Sequence, residues 1–231
     1  AAVAHNLANV SSTGYRAEEH RLRAVQVQAA AGAPTLPTRA FAVDASTHTD
    51  YSAGALQMTG RALDVAINGK GWIALSMPDG SEAYTRDGSL EINVNGVLQT
   101  RDGIPVMGDG GPISIPPDSK VEIGNYGQVS VVPETGAQNT VNAIGRLKLV
   151  NPPDDSLVRG ADGRFRLRDG APAPQDENVK VSSGYLENSN VNPADQMVSM
   201  ISLARQFEMQ MKLLTTANDN DKAATQVISN L

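Results

Sequence analysis

Eight Asn-Gly or Asp-Gly pairs punctuate the chain between residues 68 and 170: Asn68-Gly69, Asp79-Gly80, Asp87-Gly88, Asn95-Gly96, Asp102-Gly103, Asp109-Gly110, Asp162-Gly163 and Asp169-Gly170. Such pairs accept the positive φ that tight hairpins demand. Short apolar runs lie between them: "GWIALSM", "LEINV", "VLQT", "VEI", "QVSVV", "GRLKLV" and "RFRLR". Several alternate apolar with polar residues, the pattern of a half-buried antiparallel strand. Residues 69–171 are therefore expected to form a small all-β domain, sandwich- or barrel-like. "LDVAI", residues 63–67, reads as a buried strand just ahead of it.

The two ends have a different grammar. Residues 1–30 are Ala-rich, and Val3, Leu7 and Val10 recur at steps of four and three, a helical stripe. "NVSSTGY" stops it, with Gly14 able to supply a left-handed turn. The following "RLRAVQVQ" alternates and can be extended. The chain does not start with Met and Ala1 already falls within the helical stripe, so further residues are expected upstream. Residues 31–68 begin as a loop around Pro34 and Pro37, and residues 172–192 form a Pro/Asn/Ser-rich return. The last helix starts at Pro193, which suits a first turn, with Asn192 as N-cap and Asp195 near the positive end of the dipole.

The expected architecture is mainly β with terminal α-helices. A helical segment (1–30) leads through a connecting segment (31–68) into the β-domain (69–171). A return segment (172–192) leads out to the C-terminal helix (193–231). The β-domain is inserted between N- and C-terminal helices that pair as a coiled coil.

The C-terminal helix carries more apolar surface than one partner can hide. At about 100° per residue, Met197, Met200, Ile201, Leu203, Ala204, Phe207, Met211 and Leu214 fall on one broad arc. Val198, Met209 and Leu213 form a patch on the opposite side. Ala217, Ala224, Ile228 and Leu231 continue the main stripe, with Asp221 interrupting it. Leaving the main arc in water would forfeit on the order of 10 kcal/mol of burial. The steps suit long coiled-coil-like packing at a period near 3.6. The N-terminal helix can cover one face. The second patch needs another neighbour, either the β-domain or the helices of other copies.

Catalytic and ligand-binding classes find little support. The net charge is −6, with no basic stripe interleaved with aromatics, so nucleic acid is not an expected partner. There is no cysteine, which removes disulfides, thiolate nucleophiles and zinc-finger spacings together. His5, His20 and His48 are scattered. The "GDGGP" and "NGKGW" stretches read as turns rather than phosphate cradles, and no calcium-loop, P-loop or G-x-S-x-G pattern occurs. No cofactor, no metal and no catalytic residue is expected. Arg86, beside Glu82 and Asp87, is expected to pair on the surface. No apolar run approaches the ~18 residues of a membrane span, and no signal peptide is visible.

Four stretches resemble the flagellar rod and hook family. "HNLANVSSTGYRA" (5–17) is similar to its N-terminal signature, a helix ending in "NLAN" followed by Thr-Gly-aromatic. "LDVAINGKGWIAL" (63–75) and "AYTRDGSLEINVNGVLQTRDGIPVMGDGGPISIP" (83–116) resemble its central block. "GYLENSNVNPADQMVSMISLARQFEMQMKLL" (184–214) resembles its C-terminal signature. They cover most of the chain in the family's order. The family's first helix begins well before the residues matching Ala1.

The resemblance implies a non-enzymatic structural subunit of the basal-body rod, crossing the periplasm and transmitting torque. Terminal helices would form the inner tube, with the β-domain outside. A proximal-rod member is expected, with a distal-rod member as the same-class alternative. Implied partners are further copies of the chain, other rod proteins and the flagellar export apparatus. Assembly is expected through Leu7, Val10, Met197, Ile201, Ala204, Phe207, Met211, Leu214, Ile228 and Leu231. The signature residues Asn6, Leu7, Asn9, Gly14, Ser189, Asn190 and Val191 would shape the junctions where helices meet connecting segments. An alternative from another class is a glycan- or cell-wall-binding β-domain. It would need an aromatic platform, which three Phe, one Trp and five Tyr spread along the chain do not suggest.

Overall fold

The computed structural model describes residues 2–26, 40–133 and 141–229. They divide into two compact units, each assembled from separated stretches of chain. One takes Ala1–Ala8, Glu18–His48 and Val191–Leu231; the other takes Asn9–Ala17 and Thr49–Asn190.

The second unit is built mainly of β-strands, with one 3-10 turn at Asp154–Ser156. Its largest sheet has five strands in the order Leu149–Val150, Trp72–Ser76, Glu82–Thr85, Phe165–Leu167, Leu157–Arg159. A three-stranded sheet runs Ser119–Ile123, Gln128–Pro133, Asn142–Arg146. Two-stranded pairs complete it, including Val65–Asn68 with Lys180–Ser183 and Leu56–Met58 with Tyr185–Glu187. Most of the Asn-Gly and Asp-Gly pairs behave as hairpin turns should. Gly69, Gly80, Gly96, Gly103, Gly163 and Gly170 all sit at φ between 71° and 83°. The Asp79-Gly80 pair, for example, closes the hairpin that sets Ile73 against Thr85 and Leu75 against Ala83.

Gly88 serves a different need. It is not at positive φ. A Cβ built on it would lie 1.6 Å from the Val65 carbonyl oxygen. Its own carbonyl accepts from Val65 N at 2.9 Å, so the two backbones touch and no side chain fits between them.

One core cluster gathers Val65, Ile67, Ile73, Leu75, Leu90 and Leu98 with Leu147 and Leu149. A second gathers Trp72, Tyr84, Leu157 and Phe165. The Trp72 and Phe165 ring centroids are 4.6 Å apart, and Tyr51 closes on both at 6.1 and 5.8 Å. Trp72 and Ala74 point into the second cluster and Ile73 and Leu75 into the first, which is how this small unit buries both faces of its central strand.

The other unit contains a short helix α1 (Ala2–Ala8), a paired ribbon of Glu18–Gln26 with Ala40–Thr49, and a long helix α2 (Pro193–Ser229). The alternating "RLRAVQVQ" begins as strand. The loop expected around Pro34 and Pro37 lies outside the described residues.

Two features of the expected fold are corrected. The terminal helices do not pair as a coiled coil. α1 has 7 residues and α2 has 37. At 1.5 Å per residue, α1 is about 10 Å long against roughly 55 Å, too short for repeated knobs-into-holes. It stops at Ala8 because a turn takes over: Ser12 N donates to the Asn9 carbonyl at 3.1 Å and Ser12 Oγ to Asn9 Oδ1 at 3.2 Å. Val10, the third member of the stripe, is therefore outside the helix. Nor is a β-domain simply inserted between helices. The β-unit recruits residues 9–17 from the front of the chain and extends through Asn190. Strands at 180–187 supply partners for strands at 56–68, so the return segment is part of the sheet structure.

Candidate assembly surface

α2 starts where the sequence marks it. Asn192 Oδ1 accepts from Ala194 N at 3.0 Å, capping a helix whose first residue, Pro193, has no N–H to satisfy. Beyond that first turn the side chains meet solvent. Met197, Val198, Met200, Ile201, Leu203, Phe207, Met209, Met211, Leu213 and Leu214 are all between 39% and 70% exposed. Ala204 is exposed as well. The apolar side chains point to both sides of the helix, so no single neighbour can cover them. Leu7 and Val10 are half-buried. Ile228 lies in α2 but its side chain is outside the described residues, as is Leu231.

The signature residues hold the bases of the terminal segments. Asn6 is buried in α1. Its Nδ2 donates to the Glu18 carbonyl at 2.8 Å and its Oδ1 accepts from Glu18 N at 2.9 Å, so one amide pairs with both backbone groups of a strand residue. Asn6 Nδ2 also lies 3.4 Å from Gln196 Oε1 in the first turns of α2. Asn190 plays the equivalent part in the β-unit. Its Oδ1 accepts from Ala17 N at 2.7 Å, and its Nδ2 donates to the Asp50 and Ser52 carbonyls at 3.0 and 3.1 Å. Val191 is buried and Ser189 half-buried.

Gly14 is at φ 66°, and a Cβ there would come within 2.4 Å of the Arg86 carbonyl carbon. Only glycine satisfies both the backbone conformation and the clearance. The approach lets Gly14 N donate to the Glu187 carbonyl at 2.7 Å.

Directly beneath lies a buried ionic triad. Glu187, Arg16 and Arg86 are 0%, 1% and 3% exposed. Arg16 Nη2 donates to Glu187 Oε1 at 2.7 Å, and Arg86 Nε is 2.9 Å from Glu187 Oε2. Gly54 N also donates to Oε1, at 2.8 Å. Arg86 spends its remaining donors on the Gly71 and Gly69 carbonyls at 2.8 and 2.6 Å. Burial pulls the Arg86 guanidinium down to about 10, against the opposing pull of Glu187. The surface pairing expected for Arg86 is thus corrected: its partner is Glu187, and Glu82 pairs instead with Lys148 at 2.5 Å. Arg16 and Glu187 both lie inside the quoted signature stretches, yet nothing local marks them as partners 171 residues apart.

Among the described residues no group of three His, Cys, Asp or Glu is placed to hold a metal ion. The Trp72, Phe165 and Tyr51 rings pack against one another, so they present no stacking platform for a sugar. Tyr84 is pushed up to about 12 by burial; its hydroxyl accepts from Ala173 N at 2.7 Å and donates towards Glu82. These are cross-links of a core, not acid–base machinery. No described helix is long and apolar enough to cross a membrane.

Comparison with known proteins shows the family. Residues 182–227 match the family described as flagellar basal body rod FlgEFG protein C-terminal, and residues 66–131 match the flagellar hook protein FlgE/F/G D1 domain. The chain is 40% identical to the flagellar basal-body rod protein FlgF of Salmonella typhimurium over 99% of its own length and 92% of that protein's. It is 41% identical to FlgF of Escherichia coli over the same shares. It is 32% identical to the flagellar basal-body rod protein FlgG of Bacillus subtilis, covering 94% of this chain and 88% of the relative. The chain belongs to the flagellar basal-body rod protein family.

Proposed function

We propose that this structural, non-enzymatic subunit of the basal-body rod is built into the proximal rod through its terminal segments. The observation that carries the reading is α2, with ten large apolar side chains exposed along one run. Each is worth roughly 1.5–3 kcal/mol when fully buried, so a lone chain leaves a large driving force unspent. Neighbours on both faces of α2 would realise it. Copies of the same chain and other rod subunits are the partners of suitable chemistry. Head-to-tail contacts between such helices generate a shaft rather than a closed ring.

Within that shaft, Leu7, Val10, Met197, Ile201, Ala204, Phe207, Met211, Leu214, Ile228 and Leu231 contribute the assembly surface. Asn6, Asn9, Gly14, Ser189, Asn190 and Val191 hold the junctions from which the terminal segments depart. Torque passes along the packed helices. Delivery by the flagellar export apparatus suits a chain without cysteine, because no premature disulfide can form during passage.

The test is replacement in a strain lacking the chain. Met211→Asp or Leu214→Asp is expected to abolish swimming while the β-unit within the purified full chain still melts cooperatively. Electron microscopy of the basal bodies should show rods that stop early. Full swimming with Leu214→Asp would overturn the assignment.

A further inference from the structure

The chain has seven methionines and no cysteine, so thioether sulfur is its only readily oxidised sulfur. Four of the seven, Met197, Met200, Met209 and Met211, sit within 15 residues of α2, and all four are exposed. Met197, Met200 and Met211 belong to the broad apolar arc, and Met209 to the patch on the other side. Both faces of the helix therefore present oxidisable sulfur. Elsewhere, Met58 is 72% exposed on a short strand of the β-unit, while Met77 and Met107 are half-buried.

We infer that Met197, Met200, Met209 and Met211 form a peroxide-sensitive modification site whose oxidation to sulfoxide blocks assembly of the free subunit. The inference rests on the reading of α2 as the assembly surface. The reaction is a two-electron oxygen transfer from a hydroperoxide. A sulfur lone pair attacks the peroxide oxygen, an S–O bond forms as the O–O bond breaks, and proton transfer releases water or an alcohol. Sulfur is oxidised and the peroxide reduced.

The consequence follows from chemistry at the interface. Methionine is flexible and polarisable, well suited to irregular helix packing. Its sulfoxide carries a strong hydrogen-bond acceptor on the same stem. An apolar helix interface offers that acceptor no donor, so each buried sulfoxide is expected to weaken association by about tenfold. Oxidation precedes assembly, since packing against neighbours on both faces would shield the sulfurs. The fold of the β-unit is untouched, because none of the four side chains belongs to its core clusters.

Two measurements test this. In the purified full chain exposed to hydrogen peroxide, site-resolved mass spectrometry should find the four α2 methionines oxidised as fast as Met58 and several-fold faster than Met107. Rates on α2 as slow as at Met107 would overturn the site. In cells lacking the chain, a version with Met197→Gln, Met200→Gln, Met209→Gln and Met211→Gln, similar in length but polar like the sulfoxide, should not restore swimming. Swimming with the Gln version overturns the inference. Leu214→Asp separates the two readings. If it blocks swimming while the Gln version restores it, only the oxidation inference falls; if it swims, the assembly surface itself falls.

Discussion

Leu75 and Leu214 carry the same side chain and meet opposite fates. Leu75 lies in the β-unit, fully buried among Val65, Ile73 and Leu98. Leu214 lies on α2 and is 61% exposed. The β-unit is largely self-sufficient: hairpins fold back within a few residues, and its central strands find apolar cover inside the same chain. α2 cannot do this. It runs for 37 residues with a partner, α1, of only 7. One region spends its apolar surface on its own fold, and the other keeps it available for neighbours. Apolar content alone does not distinguish them; the supply of cover does.

Removing the centre of the buried triad should give the largest effect on the self-sufficient side. Glu187→Leu leaves two buried guanidinium groups without their carboxylate, and we expect about 3–5 kcal/mol of destabilisation in chemical denaturation. Trp72 fluorescence reports the transition, because that ring lies in the β-unit core. A loss below about 1 kcal/mol would mean the triad is not the brace its burial suggests. Replacing all three charged groups by apolar residues should cost far less than replacing Glu187 alone.

The leucine comparison can be broken directly. Leu75→Ala should cost about 2–5 kcal/mol through lost contacts and a residual cavity. Leu214→Ala should stay within about 0.5 kcal/mol in the dilute chain. Equal costs would show that α2 is covered within the lone subunit.

The smallest expected effect belongs to a surface turn. Hydrogen bonds from Arg166 hold the Asp162 carboxyl down at about 2, with Nη1 and Nη2 reaching its two oxygens at 2.9 and 2.7 Å. A carboxylate depressed below its unfolded value stabilises the fold above about pH 4 and loses that contribution as pH falls towards 2. Asp162→Asn should therefore cost about 1 kcal/mol or less at pH 7, allowing for solvent screening. The gap to the unmodified chain should narrow as pH falls from 4 towards 2, measured as the difference in denaturation midpoints.

Much of the β-unit was legible before any coordinates. Asp79-Gly80 and Asp162-Gly163 announce their turns because a positive φ is a property of two residues and nothing else. "LDVAI" announces its burial because Val65, Ala66 and Ile67 follow one another without a polar residue; all three are buried. Gly88 and Gly110 show the limit. Both look like turn glycines, but Gly88 is needed for its closeness to Val65, and the positive φ near Gly110 falls on Gly111. α1 is shorter than its apolar stripe suggests, because Val3, Leu7 and Val10 keep helical spacing although the helix ends at Ala8.

From sequence alone came the turns, the β-rich middle, the capped start of α2, its surplus of apolar side chains and the resemblance to rod proteins. All of these depend on residues within a few positions of one another, where φ preference and periodicity operate. Tertiary structure alone decided that Arg16, Arg86 and Glu187 meet, that residues 9–17 and 180–187 join the β-unit, and that the terminal helices form no coiled coil. Those outcomes depend on which distant segments reach each other and on how much surface each can cover, and no local preference encodes that.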